Sequence, residues 1–124
     1  MENKINSYED LDVYQRLSRL HLEIHNLSLT FPDIEKFELA SQLRRSSNSA
    51  PANLAEGWNN KHINIYLEGI NRGQGEIRET KHHLSMAYKK NYLSEDKFKY
   101  FIKEYDECGK MLNGLKNSLK KYVT

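Results

Sequence analysis

The run Arg44-Arg45-Ser46-Ser47-Asn48-Ser49-Ala50-Pro51-Ala52-Asn53-Leu54-Ala55-Glu56-Gly57-Trp58 (RRSSNSAPANLAEGW, residues 44–58) decides how this chain folds. Its flanks carry a helical pattern, yet it holds a proline and almost nothing bulky. Inside a helix, Pro51 withholds the hydrogen bond due to the Ser47 carbonyl and its ring pushes that carbonyl aside, so a bend is expected there. Ala40, Leu43, Ser47, Ala50 and Leu54 form the inward seam of this helix, and Gly57 is a natural residue to end it. With Ser47 and Ala50 on the seam, a neighbouring helix can approach closely. Gly69, Gly73 and Gly75 supply small surface that could face them.

Outward from this run the pattern stays helical. Val13, Leu17, Leu20, Ile24, Leu27 and Phe31 recur at alternating spacings of four and three, the seam of a helix packed against near-parallel neighbours. Pro32 closes that helix. Phe98, Phe101, Tyr105, Cys108, Leu112, Leu115, Leu119 and Tyr122 repeat the same alternation, with Ser94 as N-cap ahead of Glu95 and Asp96. Between them, Ile63, Leu67, Ile70, Ile77, Leu84 and Tyr88 mark a third helix. Helices over residues 10–30, 33–57, 61–91 and 94–122 with short connections predict an all-α, up-down-up-down antiparallel four-helix bundle, one domain over residues 1–124.

Composition narrows the function classes. Apolar residues at 38% and charged residues at 29% fit a water-exposed helical domain, and two prolines with six glycines leave little punctuation for many strands. No apolar run approaches a membrane span and the first residues lack a signal-peptide core, so no membrane partner is expected. A single cysteine, Cys108, makes the reducing cytoplasm the expected compartment. The net charge of +2 is too small to name a nucleic-acid partner, but it is unevenly spread. Residues 1–33 hold 3 basic and 6 acidic side chains, whereas after Glu107 only Lys110, Lys116, Lys120 and Lys121 carry charge. Those lysines complement a helix dipole or form a binding patch.

The run QLRRSSNSAPANLAEGW resembles the signature of the four-helix-bundle proteins encoded in intervening sequences of 23S ribosomal RNA genes. Gln42, Leu43, Arg44, Arg45, Ser49, Pro51, Ala52, Asn53, Leu54, Ala55, Glu56 and Gly57 carry the match, supported by YEDLDVYQRL, FPDIEKFEL and GEIRET in the flanks. The chain departs from the pattern at RGQGEIRET: Gln74 stands where the family usually has serine, and Gly75 is an extra glycine before the matching Glu76. The family is similar to the accessory protein of diversity-generating retroelements. The resemblance implies a barrel-shaped homopentamer and, from the retroelement protein, nucleic-acid binding beside a reverse transcriptase. Leu11, Leu22, Leu29, Ile34, Phe37 and Tyr66 fall off the inward seams and independently point to a covering subunit.

These features make a non-catalytic accessory protein that binds RNA or DNA the leading expectation. Arg44, Arg45, Lys61, Arg72, Arg78, Lys81, Lys89, Lys90, Lys116, Lys120 and Lys121 are its candidate phosphate contacts. Against that, Arg44 and Arg45 could pair with Glu56, Glu76 or Glu79, leaving Pro51, Asn53, Glu56, Gly57 and Glu76 as purely structural motif residues. A protein-interaction scaffold is the alternative, with Glu9, Asp10, Asp12 and Glu23 as an acidic docking face. A metal bundle would need E-x-x-H on two helices; Glu79 with His82 is one such pair, and His21 with His25 lies at the edge of an apolar face, so no metal or cofactor is expected. No glycine loop follows a strand to cradle phosphate, and Cys108 on the seam reads as a buried, inert thiol. Trp58 could stack on a base or anchor a subunit contact.

Overall fold

A computed structural model describes residues 4–123. Four helices, α1 (Asp12–Ser28), α2 (Leu39–Gly57), α3 (Ile63–Lys89) and α4 (Glu95–Leu119), are joined by short turns, and the described residues contain no strand. Short 3₁₀ turns occupy Tyr8–Asp10, Asp33–Glu35 and Lys120–Tyr122.

Local chemistry sets several boundaries. Ser7 and Asp10 form a reciprocal cap: Ser7 Oγ accepts from the Glu9 amide, while Asp10 Oδ2 accepts from the Ser7 amide. Ser94 Oγ accepts from the Lys97 amide at the start of α4, the cap its position predicts. α3 stops because Asn91 takes a left-handed conformation (φ 67°), which lets the Tyr92 amide reach back to the Ala87 carbonyl.

The four adjacent helix pairs run antiparallel, as cross-helix bonds show. His21 meets Ser47 and Ser28 meets Arg44 between α1 and α2; Ser46 meets Thr80 between α2 and α3; Gln74 meets Asn113 and Lys81 meets Asp106 between α3 and α4; Arg19 meets Glu104 and Glu23 meets Tyr100 between α1 and α4. Leu17, Leu20, Ile24, Leu43, Leu54, Ile70, Leu84, Tyr105, Cys108 and Leu112 fill the interior. The first seam is buried from Val13 to Phe31, and so are Ala40, Leu43, Ser47, Ala50 and Leu54.

The structure corrects several expectations. α2 begins at Leu39 rather than Asp33: the crossover is tied across the end of the bundle, with Phe31 packed on Tyr92 and the buried Glu35 carboxylate accepting from Lys90 Nζ at 2.8 Å and Tyr92 Oη at 2.9 Å. These long-range ties override the local preference for more helical turns. Tyr122 is exposed rather than inward, because the tightened turn after Leu119 carries it off the seam. Tyr66 is buried and Leu67 only half-buried, since α3 turns Tyr66, Gly69, Ile70 and Gly73 inward. Leu11 likewise packs against the core.

The small-residue stretch serves two neighbours rather than one. Ser47 bonds to α1 through His21, whereas Ser46 bonds to α3 through Thr80. A bundle helix touches two partners, so its inward stripe is wider than a single seam. α2 runs through the buried Pro51 without interruption.

Candidate nucleic-acid interface

The packing of α2 on α3 positions the motif residues. A Cβ on Gly69 would lie 2.8 Å from the Asn53 carbonyl oxygen and 3.2 Å from Gly57 Cα, and one on Gly57 would lie 2.9 Å from the Ile65 carbonyl oxygen. Gly73 sits one turn on, where a Cβ would be 3.3 Å from the Ala50 carbonyl oxygen. Gly75 meets only the Arg78 side chain and takes no part, so two of the three α3 glycines form the facing surface. Here the backbones themselves are in contact, and any side chain would separate them.

Above this contact the two arginines are occupied. Arg45 bridges Glu79 and, at 3.3 Å, Glu76; the same Glu79 carboxylate lies 3.2 Å from His83 Nε2. Burial holds His83 below the ordinary imidazole range. The histidine partner of Glu79 is therefore His83 rather than the exposed His82, because a spacing of four lies more nearly in line along this helix. Arg44 donates to Ser28 Oγ at 3.0 Å and to the Lys36 carbonyl at 3.1 Å, so it ties α2 to the crossover without a carboxylate. Glu56 pairs with neither arginine among the described residues. Asn53 Nδ2 donates to the Ser49 carbonyl at 2.8 Å. Asn53, Glu56 and Gly57 border a depression of about 250 Å³ with Glu68 and Arg72, which pair with each other at 2.9 Å.

The remaining candidate cations divide sharply. Lys81 pairs with Asp106 and Lys90 with Glu35. Lys61, Arg78, Lys89, Lys116, Lys120 and Lys121 have no carboxylate within 4.0 Å among the described residues. Lys61 precedes α3 at the end of the bundle where α4 terminates, so it shares that end with Lys116, Lys120 and Lys121. Arg78 lies beside α4, in a groove bordered by Asp106, Gly109 and Asn113. On the α1 side, Glu23 is already engaged by Arg19 and Tyr100, and Asp10 serves as a cap, leaving Glu9 and Asp12 as exposed acids of that face without an ion pair among the described residues.

Other candidates resolve plainly. Trp58 is half-buried and packs against its own core. Cys108 is inaccessible, and burial pushes its thiol pKa up to about 11, as befits an inert packing residue. His21 Nδ1 lies 2.8 Å from Ser47 Oγ, and no three His, Cys, Asp or Glu side chains converge among the described residues. No helix among them is long and apolar enough to cross a membrane. Leu22, Leu29, Ile34 and Phe37 are 63%, 68%, 78% and 83% exposed. Close to Leu22, an apolar groove of about 590 Å³ runs between α1 and α2, past Tyr14, Pro51 and Ala55.

Gln74, which departs from the motif, donates to Asn113 at 2.8 Å and thereby defines the α3–α4 groove. Sequence reasoning passed over Asp106, Gly109 and Asn113. Their only signal is a shared stripe on the polar side of α4, which periodicity reads as solvent-facing.

Residues 9–114 match the family model described as 23S rRNA-intervening sequence protein. No curated protein matches the chain.

Proposed function

The chain belongs to the 23S rRNA-intervening sequence protein family, and from that premise we propose that it is a non-catalytic, self-assembling accessory protein that binds nucleic acid through phosphate contacts. One observation carries the reading: six of the eleven candidate cations, all on α3, α4 and the turns beside them, have neither a carboxylate nor a side-chain hydrogen bond of their own among the described residues. A cation already paired must lose its partner before it meets a phosphate, whereas a free one exchanges only counterions. Self-assembly, as the homopentamer that the resemblance implies, is supported by four large apolar side chains that are more than 60% exposed, and it would repeat a weak patch around a ring. A nucleic-acid enzyme such as a reverse transcriptase is the protein partner that this role calls for, and the cytoplasm its compartment.

A scaffold without nucleic acid is the second reading, favoured by the neutralised Arg45, Arg72, Lys81 and Lys90 and by the acidic start of α1. Fluorescence anisotropy with labelled RNA and DNA between 50 and 200 mM salt separates the two. Affinity that falls steeply with salt supports the first; no binding at the lowest salt removes it. Sedimentation of the same samples reports the assembly, and a monomer at all concentrations would remove that part.

A further inference from the structure

The groove between α3 and α4 is built for more than counterion exchange. Its volume, about 230 Å³, falls below the ~300 Å³ at which pockets for drug-sized ligands begin, yet it has room for one nucleobase ring. Gln74 Nε2 donates to Asn113 Oδ1 at 2.8 Å, which leaves the Gln74 amide oxygen and the Asn113 amide nitrogen with no other hydrogen bond among the described residues. Flipping both amides reverses the bond but still leaves one acceptor and one donor. That pair is the complement of a base edge, the chemistry by which Asn and Gln read bases. Bases within a duplex cannot reach the floor of such a groove, whereas an unstacked base can.

The groove is also kept open and charged. Gly109 sits within α4, where glycine costs about 1 kcal/mol relative to alanine, yet a Cβ there would meet nothing within 4 Å. Packing therefore does not require the glycine; its effect is to deepen the groove. Arg78, one helical turn along α3 from Gln74, has no carboxylate partner among the described residues. Lys81 is held only by the half-exposed Asp106, a type of pair worth ~0–1 kcal/mol, so it can exchange that partner for a phosphate. Lys116 continues the Asn113 stripe of α4 by one turn, and Lys120 follows in the 3₁₀ turn beyond the helix.

We propose that this groove holds one unstacked nucleotide of a single strand, its base edge on Gln74 and Asn113 and its phosphate on Arg78 and Lys81. The proposal rests on the reading that the chain binds nucleic acid and names the strand form and the face.

The test uses the full chain and two independent variants, Gly109→Leu to fill the groove and Asn113→Leu to remove the amide pair. Matched melting curves verify that both fold; Gly109→Ala replaces the leucine variant if it does not. Anisotropy with a short labelled single strand should show a loss of about fivefold or more in each variant, the low end of a bidentate base contact. Duplex binding should stay within about twofold, because phosphate contacts are untouched. In parallel, uridine 5′-monophosphate is titrated into the wild-type chain while amide NMR signals of Gln74, Asn113 and Gly109 are followed. Movement of those signals supports the groove. Unchanged single-strand affinity in both variants, or an equal loss for duplex and single strand, overturns it while leaving the accessory role intact. If the wild-type chain binds no polymer, the accessory role falls, and the monophosphate titration alone decides the groove: unmoved signals overturn it as well.

Discussion

Alanine at Gly69 and at Gly109 should shift stability in opposite directions, although both glycines lie within helices and both substitutions raise helix propensity by about 1 kcal/mol. At Gly69 the new Cβ would stand 2.8 Å from the Asn53 carbonyl oxygen, 0.6 Å inside the 3.4 Å at which ordinary contact begins. The clashing atoms belong to the α2 backbone, so no rotamer change relieves them and the helices must separate. Overpacking of this kind typically costs ~1–3 kcal/mol. With backbone on backbone the upper part of that range applies, which leaves a net loss of about 1–2 kcal/mol after the propensity gain. At Gly109 the added methyl meets nothing, so the propensity gain stands alone and amounts to at most about 1 kcal/mol. For a domain of this size 1 kcal/mol moves Tm by roughly 4 °C. Thermal melts at one fixed protein concentration should therefore place Gly69→Ala about 4–8 °C below the wild type and Gly109→Ala slightly above it. A Gly69→Ala chain that melts at or above the wild-type temperature would refute the claim that α2 and α3 touch through their backbones.

Further expectations follow from the charged groups. The hydrogen bond from Lys90, then that from Tyr92, holds the Glu35 carboxyl below the usual carboxylate range. Its contribution is therefore present above the unfolded carboxylate value, near 4.3, and is lost as pH falls through the lower folded value; melts of Glu35→Gln and wild type should differ at neutral pH and converge in acid. Cys108, with its thiol pushed up to about 11, should resist a thiol reagent at pH near 8 in the native state and react at the rate of unfolding, measured by colorimetric labelling with and without denaturant. Replacing Lys116, Lys120 and Lys121 together by Gln should lower the salt slope of nucleic-acid binding by about 2–3, roughly one for each lost phosphate contact. Arg45→Gln should leave that slope unchanged and cost about 0.5 kcal/mol in a denaturant melt, since its half-exposed side chain answers Glu76 and Glu79 rather than a ligand.

How far the sequence can be read depends on whether a contact is periodic. Val13 through Phe31 and Phe101 through Leu112 repeat at three and four, and a repeat of that kind specifies a buried face before any partner is known. The glycines of α3 are less legible. Gly69, Gly73 and Gly75 look alike in the sequence, and only the register with α2 shows that the first two lie against Asn53 and Ala50 while the third does not. Glu35 and Lys90 are 55 residues apart, and no local rule anticipates that a carboxylate in a turn will be buried by a lysine beyond the next two helices. The α3–α4 groove was hidden for the same reason. Gln74 and Asn113 are ordinary polar residues until 39 positions of chain bring their amides together.

The physical division of labour follows from α2. Its small residues let α1 and α3 close on it from two sides, and the arginines at its head are spent in holding that arrangement: Arg44 on Ser28 and the crossover, Arg45 on Glu76 and Glu79. The most distinctive run of the sequence thus acts as architecture, and its positive charge is unavailable. Among the candidate cations, those without a partner among the described residues lie on α3, α4 and the turns beside them, where the helix surfaces also carry polar side chains and a glycine that no packing contact needs. On the proposed reading, ligand chemistry therefore belongs to the α3–α4 face and not to the most distinctive run of the sequence. Neutralising Arg45 should cost a little stability and no binding, and filling the space beside Gly109 should do the reverse.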